Sequence, residues 1–161
     1  MGLFDWMKKT AEVKVFAPVP GNLLELAEVP DPVFAGEILG KGFAVAPTGC
    51  VFASPIAGEI TMLAPTLHAF GVRSPEGAEI LVHIGIDTVA LKGEGFEALA
   101  QVGDAVKAGD PVVCVAEDVA GKVPSMISPV VNTSKAKFEI AELNLAAKPG
   151  EPVAILHALE A

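Results

Sequence analysis

Long apolar runs are missing from this sequence. Apolar residues make up 52% of its 161 positions and the mean hydropathy is +0.52. Yet no uninterrupted stretch approaches the roughly 18 residues that a membrane-spanning helix needs. Gly, Pro or a charge breaks each run within a few positions, which leaves a densely packed single domain as the expected form. Cations are also scarce, with 11 Lys and Arg against 20 Asp and Glu and a net charge of −9. That balance argues against a nucleic-acid partner, because phosphates attract basic surfaces. Cysteine is limited to Cys50 and Cys114, at no spacing that matches a metal or redox motif. Two buried thiols are the expectation. No basic segment followed by an apolar stretch opens the chain, so no secretory signal is read and the cytoplasm is the expected location.

What is present in quantity is the vocabulary of short strands. Sixteen glycines and thirteen prolines are spread along the chain, as tight turns between strands require. Val and Ile dominate the apolar runs, and their branched side chains fit a pleated surface. VKVFAPV, GFAVAPTG, VFASPIAG, EITMLAP, FGVRS, PVVCVAE and PVAILHA all read as strands. Glu94 to Val102 reads as a helical turn. Two internal echoes stand out. VFAPVPG (15–21) resembles VFASPIAG (51–58), and VKAGDPVV (106–113) resembles AKPGEPVA (147–154). Each member of the second pair reads as a hairpin. Repeated turns of this kind predict an all-β antiparallel sandwich or barrel with internal pseudo-symmetry and few short helical turns. Residues 13–161 form that single domain. Residues 1–12 form a flexible or amphipathic leader, in which MGLFDWMKK has a spacing that would suit contact with a membrane surface. Myristoylation is not expected, because position 6 is Trp.

The stretch ILVHIGID, residues 80–87, poses the functional question. As a strand it sends Ile80, Val82, Ile84 and Ile86 to one face and Leu81, His83, Gly85 and Asp87 to the other. The first set is core. The second combines an imidazole, a bare backbone position and a carboxylate. A turn at Pro75–Gly77 lies midway between His83 and His68, so an antiparallel hairpin would bring the two imidazoles side by side. Thr66 can reach the same place. His157 reads instead as a core histidine satisfied by hydrogen bonds. A histidine pair suits three tasks: metal binding, with Asp87 as a candidate third ligand; acid–base hydrolysis; or nucleophilic attack by one ring with charge stabilisation by the other. A neutral imidazole attacks phosphorus well when its second nitrogen keeps the proton. Gly85 leaves the space above the strand open.

These residues resemble a known family. VHIGIDTVALKGEGF (82–96), PDPVFAGEILGKGFAVAPTG (30–49), APTLHAF (64–70) and SPVV (128–131) are similar to the glucose-type enzyme IIA proteins of the bacterial phosphoenolpyruvate-dependent sugar phosphotransferase system, in their free-standing form. The resemblance runs from about Val13 to the end. It implies a β-sandwich with a duplicated hybrid motif, and a phosphoryl carrier that takes phosphate from HPr and passes it to a cysteine of a IIB domain for coupled sugar uptake. His83 matches the phosphorylated residue, attacking through Nε2. His68 matches its phosphoryl-stabilising neighbour, Thr66 the residue that orients the pair, and Gly85 the carbonyl that fixes the His83 tautomer. Val33, Phe34, Leu39, Phe70 and Val89 match an apolar docking patch, with Asp31 and Asp87 at its acidic rim. Ala64 and Leu81 depart from positions often aromatic in relatives, which thins the patch. No cofactor is required, although His68 and His83 could take zinc in a partner complex. Regulatory target proteins could bind through the same surface. Two rivals fit poorly. A zinc peptidase of the related duplicated fold needs a His-x-His pair, which is absent from the sequence. A biotinyl or lipoyl carrier needs a lysine at a hairpin tip, and Lys107 and Lys148 stand in a different pattern.

Overall fold

A computed structural model describes residues 11–159; the MGLFDWMKK segment lies outside them. The chain forms thirteen strands among the described residues: β1 (Glu12–Val15), β2 (Gly21–Glu25), β3 (Gly42–Pro47), β4 (Val51–Ala53), β5 (Gly58–Leu63), β6 (Ala69–Arg73), β7 (Glu79–His83), β8 (Phe96–Ala98), β9 (Ala105–Val106), β10 (Pro111–Val115), β11 (Ser128–Asn132), β12 (Phe138–Leu143) and β13 (Ala154–Ala158). One four-residue helix, α1 (Pro32–Ala35), and 3-10 turns at Leu26–Glu28, Thr88–Leu91 and Glu117–Lys122 complete the set. All pairings are antiparallel.

A seven-stranded sheet in the order β2-β3-β11-β7-β6-β5-β9 carries most of the molecule. Two three-stranded sheets, β1-β13-β12 and β4-β10-β8, pack against it. The main core lies between the layers. Phe43, Phe70, Ile80, Val82 and Val130 enter it from the large sheet, and Val15, Phe52, Val113 and Leu156 from the small ones. Each fully buried side chain of this size stabilises the fold by about 1.5–3 kcal/mol.

The sequence echoes mark equivalent places in the two halves. Gly21 opens β2 and Gly58 opens β5, and a Cβ at either would fall about 2 Å from a facing carbonyl: 2.2 Å from that of Ala46 and 2.1 Å from that of Arg73. The two segments also bond to each other, Phe16 N–H to Pro55 O at 2.8 Å and Ala53 N–H to Pro18 O at 2.7 Å. The second echo leads in each case into the middle strand of a small sheet. In both copies the fourth residue of the turn bonds back twice. Asp110 N–H meets Lys107 O and its carboxylate accepts Lys107 N–H; Glu151 does the same to Lys148. Gln101–Asp104 is a third copy of this turn. The two echoed turns differ in what they join. Lys148–Glu151 lies in the connection between β12 and β13, which pair antiparallel as the expected hairpin. Lys107–Asp110 closes no hairpin, contrary to expectation: β9 pairs with β5 while β10 pairs with β4 and β8, so the chain changes sheet at that turn. The expected helical turn at Glu94–Val102 is also absent: Phe96–Ala98 is a strand on β10, and the helical turn falls earlier, at Thr88–Leu91.

The outer face of the large sheet is covered locally. The segment from β2 to β3 folds over it, and Leu26, Val29 and Phe34 join Ala44, Ile86 and Val131 in a second, smaller cluster. This cover holds α1 above the end of β7. Both cysteines are free thiols, as expected, but they are not buried: Cys50 is exposed and Cys114 is partly exposed. His157 is half-exposed rather than core, with Nε2 3.3 Å from Glu12 Oε2.

Candidate active site

β6 and β7 form the expected hairpin, with a turn closed by Gly77 N–H on Ser74 O at 3.0 Å. Its register places Ala69, not His68, opposite His83. His68 lies one residue beyond β6, and its carbonyl accepts Ile84 N–H at 2.7 Å. Strict pleating would turn its side chain toward the Ile84 face. The strand has ended there, however, and a turn closed by Leu67 N–H on Ala64 O, with Leu67 at φ 60°, precedes His68. The imidazoles meet with ring centroids 5.1 Å apart, edge to face at 75°. The same register corrects Phe70. Paired with Val82, it points into the core and is fully buried, so it offers nothing to a partner. Phe34 is also largely buried, but its ring packs against His83 at 4.9 Å and forms a wall of the site.

Hydrogen bonds set the two rings differently. His83 Nδ1 lies 2.7 Å from Gly85 O. A carbonyl only accepts, so the proton sits on Nδ1 and the Nε2 lone pair is left for reaction. His68 Nδ1 meets the Thr66 hydroxyl in a short contact. With that hydroxyl donating, the His68 proton sits on Nε2, ready to be given to an incoming oxygen. Burial lowers the pKa of both histidines. At His83 the Gly85 carbonyl opposes the shift, His68 adds to it, and Asp31 and Asp87 oppose it. The lowering keeps both rings neutral near pH 7, one an acceptor and the other a donor.

The remaining predicted residues flank this pair. Asp31 caps α1, accepting Val33 N–H at 2.9 Å. Asp87 and Val89 lie at the turn that follows Gly85. Val33, Leu39 and Val89 are exposed, as is Ile38 beside Leu39, which the sequence reading left out. Asp87 does not complete a metal site: no group of three or more His, Cys, Asp or Glu able to hold an ion occurs among the described residues. Two hydroxyls also escaped the sequence reading. Ser128 Oγ accepts Gly85 N–H at 3.0 Å, and Thr88 Oγ1 donates to Ile84 O at 2.6 Å. Both residues are fully buried. Ser128 lies 43 positions from Gly85; it stands in the SPVV stretch and Thr88 in VHIGIDTVALKGEGF, but neither stretch tells what its hydroxyl bonds to.

A neutral imidazole at the end of β7, with Nδ1 bonded to a carbonyl and Nε2 left without a partner among the described residues, has the chemistry of a nucleophile or a base. Comparison with known proteins narrows that choice. The family described as phosphoenolpyruvate-dependent sugar phosphotransferase system, EIIA 1, matches residues 13–138. The PTS system glucose-specific EIIA component of Bacillus cereus is 44% identical over 151 residues, covering 92% of each chain. That of Bacillus anthracis is 46% identical over 133 residues, 82% of this chain and 81% of the relative. The solved glucose permease IIA from Mycoplasma capricolum superposes with a TM-score of 0.83 at 41% identity, covering 90% of this chain and 96% of that one. The chain belongs to the EIIA family of the phosphoenolpyruvate-dependent sugar phosphotransferase system, as a phosphoryl carrier.

Proposed function

We propose that His83 Nε2 is the atom that carries the phosphoryl group, and that His68 stabilises it in transit. The observation that carries this reading is the opposed setting of the two rings: Nδ1 of His83 on a carbonyl, Nδ1 of His68 on a hydroxyl. The Nε2 lone pair of His83 attacks phosphorus in line. The N–P bond of the phosphohistidine of HPr breaks, and its electron pair returns to that ring. The proton of His83 stays on Nδ1, donated to Gly85 O, throughout. His68 Nε2–H donates to a phosphoryl oxygen as charge is redistributed. In the second half a IIB cysteine thiolate attacks, the S–P bond forms, and the pair of the breaking bond returns to His83 Nε2. Catalysis is then positioning and charge stabilisation. Val33, Ile38, Leu39 and Val89 supply exposed apolar surface for these partners in the cytoplasm.

Intact mass after incubation with phosphoenolpyruvate, enzyme I and HPr tests the assignment. The native chain gains one acid-labile phosphoryl group and His83→Ala gains none. His68→Ala is still phosphorylated but fails to pass the group to IIB. Phosphorylation of His83→Ala would refute it.

The same exposed surface would serve regulatory target proteins that bind the unphosphorylated form; a pull-down abolished by phosphorylation supports this. His68 and His83 supply two zinc ligands, and a partner carboxylate would complete the set. Equilibrium dialysis that detects no zinc with partner present removes that reading. Vesicle sedimentation with and without residues 1–9 tests membrane contact.

A further inference from the structure

The His83 tautomer depends on one carbonyl, and the backbone around that carbonyl is held to an unusual degree. Ile84 N–H donates to His68 O, Ile84 O accepts from Thr88 Oγ1, and Gly85 N–H donates to Ser128 Oγ. Gly85 O accepts from His83 Nδ1, and Ile86 N–H donates to Ser125 O at 2.9 Å. Five consecutive polar groups each have a defined partner, and besides His83 itself two of those partners are side chains. Ser128 opens a wholly buried strand, SPVVN, next to the apolar run Pro129–Val131. A hydroxyl in such a place costs stability unless it is bonded. This one accepts from Gly85 and donates to Met126 O at 2.8 Å. Thr88 approaches from the other side. A Cβ on Gly85 would lie 2.8 Å from its Cγ2. Gly85 itself stands at φ +67°, a conformation that glycine adopts readily and that leaves the adjoining peptides free to rotate unless held.

We infer that Ser128 and Thr88 are positioning residues for phosphoryl transfer, clamping the Ile84–Gly85 peptide so that the following carbonyl holds the proton of His83 on Nδ1. They touch neither donor nor phosphoryl group. Their effect runs through backbone orientation to the ring, and it decides which ring nitrogen is nucleophilic. The inference rests on His83 as the acceptor, but its test does not.

Ring 15N shifts of the unphosphorylated full chain, labelled at histidine, report the His83 tautomer with no phosphoryl donor present. The native protein shows Nδ1–H. In Ser128→Ala and Thr88→Val the ratio of Nδ1–H to Nε2–H falls by about three- to tenfold, the worth of one weakened hydrogen bond. Thr88→Ser keeps the hydroxyl and restores the native ratio. Ser54→Ala removes another buried hydroxyl, one bonded to Ile56 O and outside this frame; it leaves the ratio unchanged, separating positioning from general loss of stability. If Ser128→Ala and Thr88→Val fold and keep the native ratio, the inference is overturned, whatever the mass experiment says of His83. If either variant fails to fold, Ser128→Cys and Thr88→Ala are read the same way. An unchanged ratio in them overturns it equally.

Discussion

β7 and β11 are neighbours near the middle of the large sheet, and each ends on a polar side chain. At the end of β11, Asn132 is buried and internally satisfied. Its Nδ2 donates to Phe138 O at 3.0 Å, and its Oδ1 accepts from Ser134 N–H at 3.1 Å and from the Ser134 hydroxyl at 2.6 Å. At the end of β7, His83 has one ring nitrogen bonded inward and one with no partner among the described residues. Both side chains hold a strand end in shape. Only the half-satisfied one retains a group with which to react. Saturated hydrogen bonding marks a structural polar residue, and deliberate incompleteness beside a second titratable ring marks a functional one.

Exchanging the defects gives the largest contrast. His83→Ala abolishes phosphoryl uptake, as above. Asn132→Ala keeps uptake while folded but loses about 2–4 kcal/mol, because Ser134 N–H and Phe138 O are left without their partner. Urea unfolding measures the second quantity and intact mass the first. If Asn132→Ala also failed to accept phosphate while folded, the contrast would collapse. Gly85→Ala comes next. The new Cβ would meet Thr88 Cγ2 at 2.8 Å and Ser125 O at 3.1 Å in a left-handed conformation, at a cost of about 2–4 kcal/mol. Uptake should fall as well, since the carbonyl must shift, and paired urea and phosphorylation measurements check both. Thr66→Val is milder. It frees the His68 tautomer, leaves uptake largely intact and slows transfer to IIB by about tenfold, read by stopped transfer assays.

The smallest expected effect is that of pH. The native pKa of His83 is lowered, chiefly by burial, below an unfolded value of about 6.5. Between the two values the unfolded chain binds more protons than the native one. His83 therefore contributes stability above about pH 6.5 that is lost as pH falls toward its native pKa. Urea titrations between pH 7 and pH 5 should show a shallower decline in His83→Gln than in the native chain. Phosphoryl uptake by the native chain should fall as pH drops through the lowered pKa of His83, at a lower pH than for a free imidazole.

Much of this was legible in the sequence. In ILVHIGID the alternation sorted Ile80, Val82 and Ile84 into the main core; Ile86, past the end of β7, is also buried but in the smaller outer cluster. The paired echoes exposed the duplication, because identical turn chemistry leaves identical residues. What failed did so for reasons of register and distance. One residue along a strand changes the face: Ala69, not His68, stands opposite His83, and Phe70, assigned to the docking patch by resemblance, turns into the core. Phe96–Ala98 carries no strand pattern of its own and is made a strand by β10. Ser128 and Thr88 act on a backbone that only the folded chain brings to them.

The small sheet β1-β13-β12 joins residues at opposite ends of the chain. Glu12 and His157 face each other across it, 145 positions apart. During synthesis β1 emerges first and must wait for nearly the whole remaining sequence before β13 exists to pair with it. Such long-range closure slows folding and leaves an unpaired strand exposed meanwhile. The acidic and basic residues at Glu12 and Lys14 on β1 are therefore as much protection for a nascent chain against its neighbours as surface of the finished one.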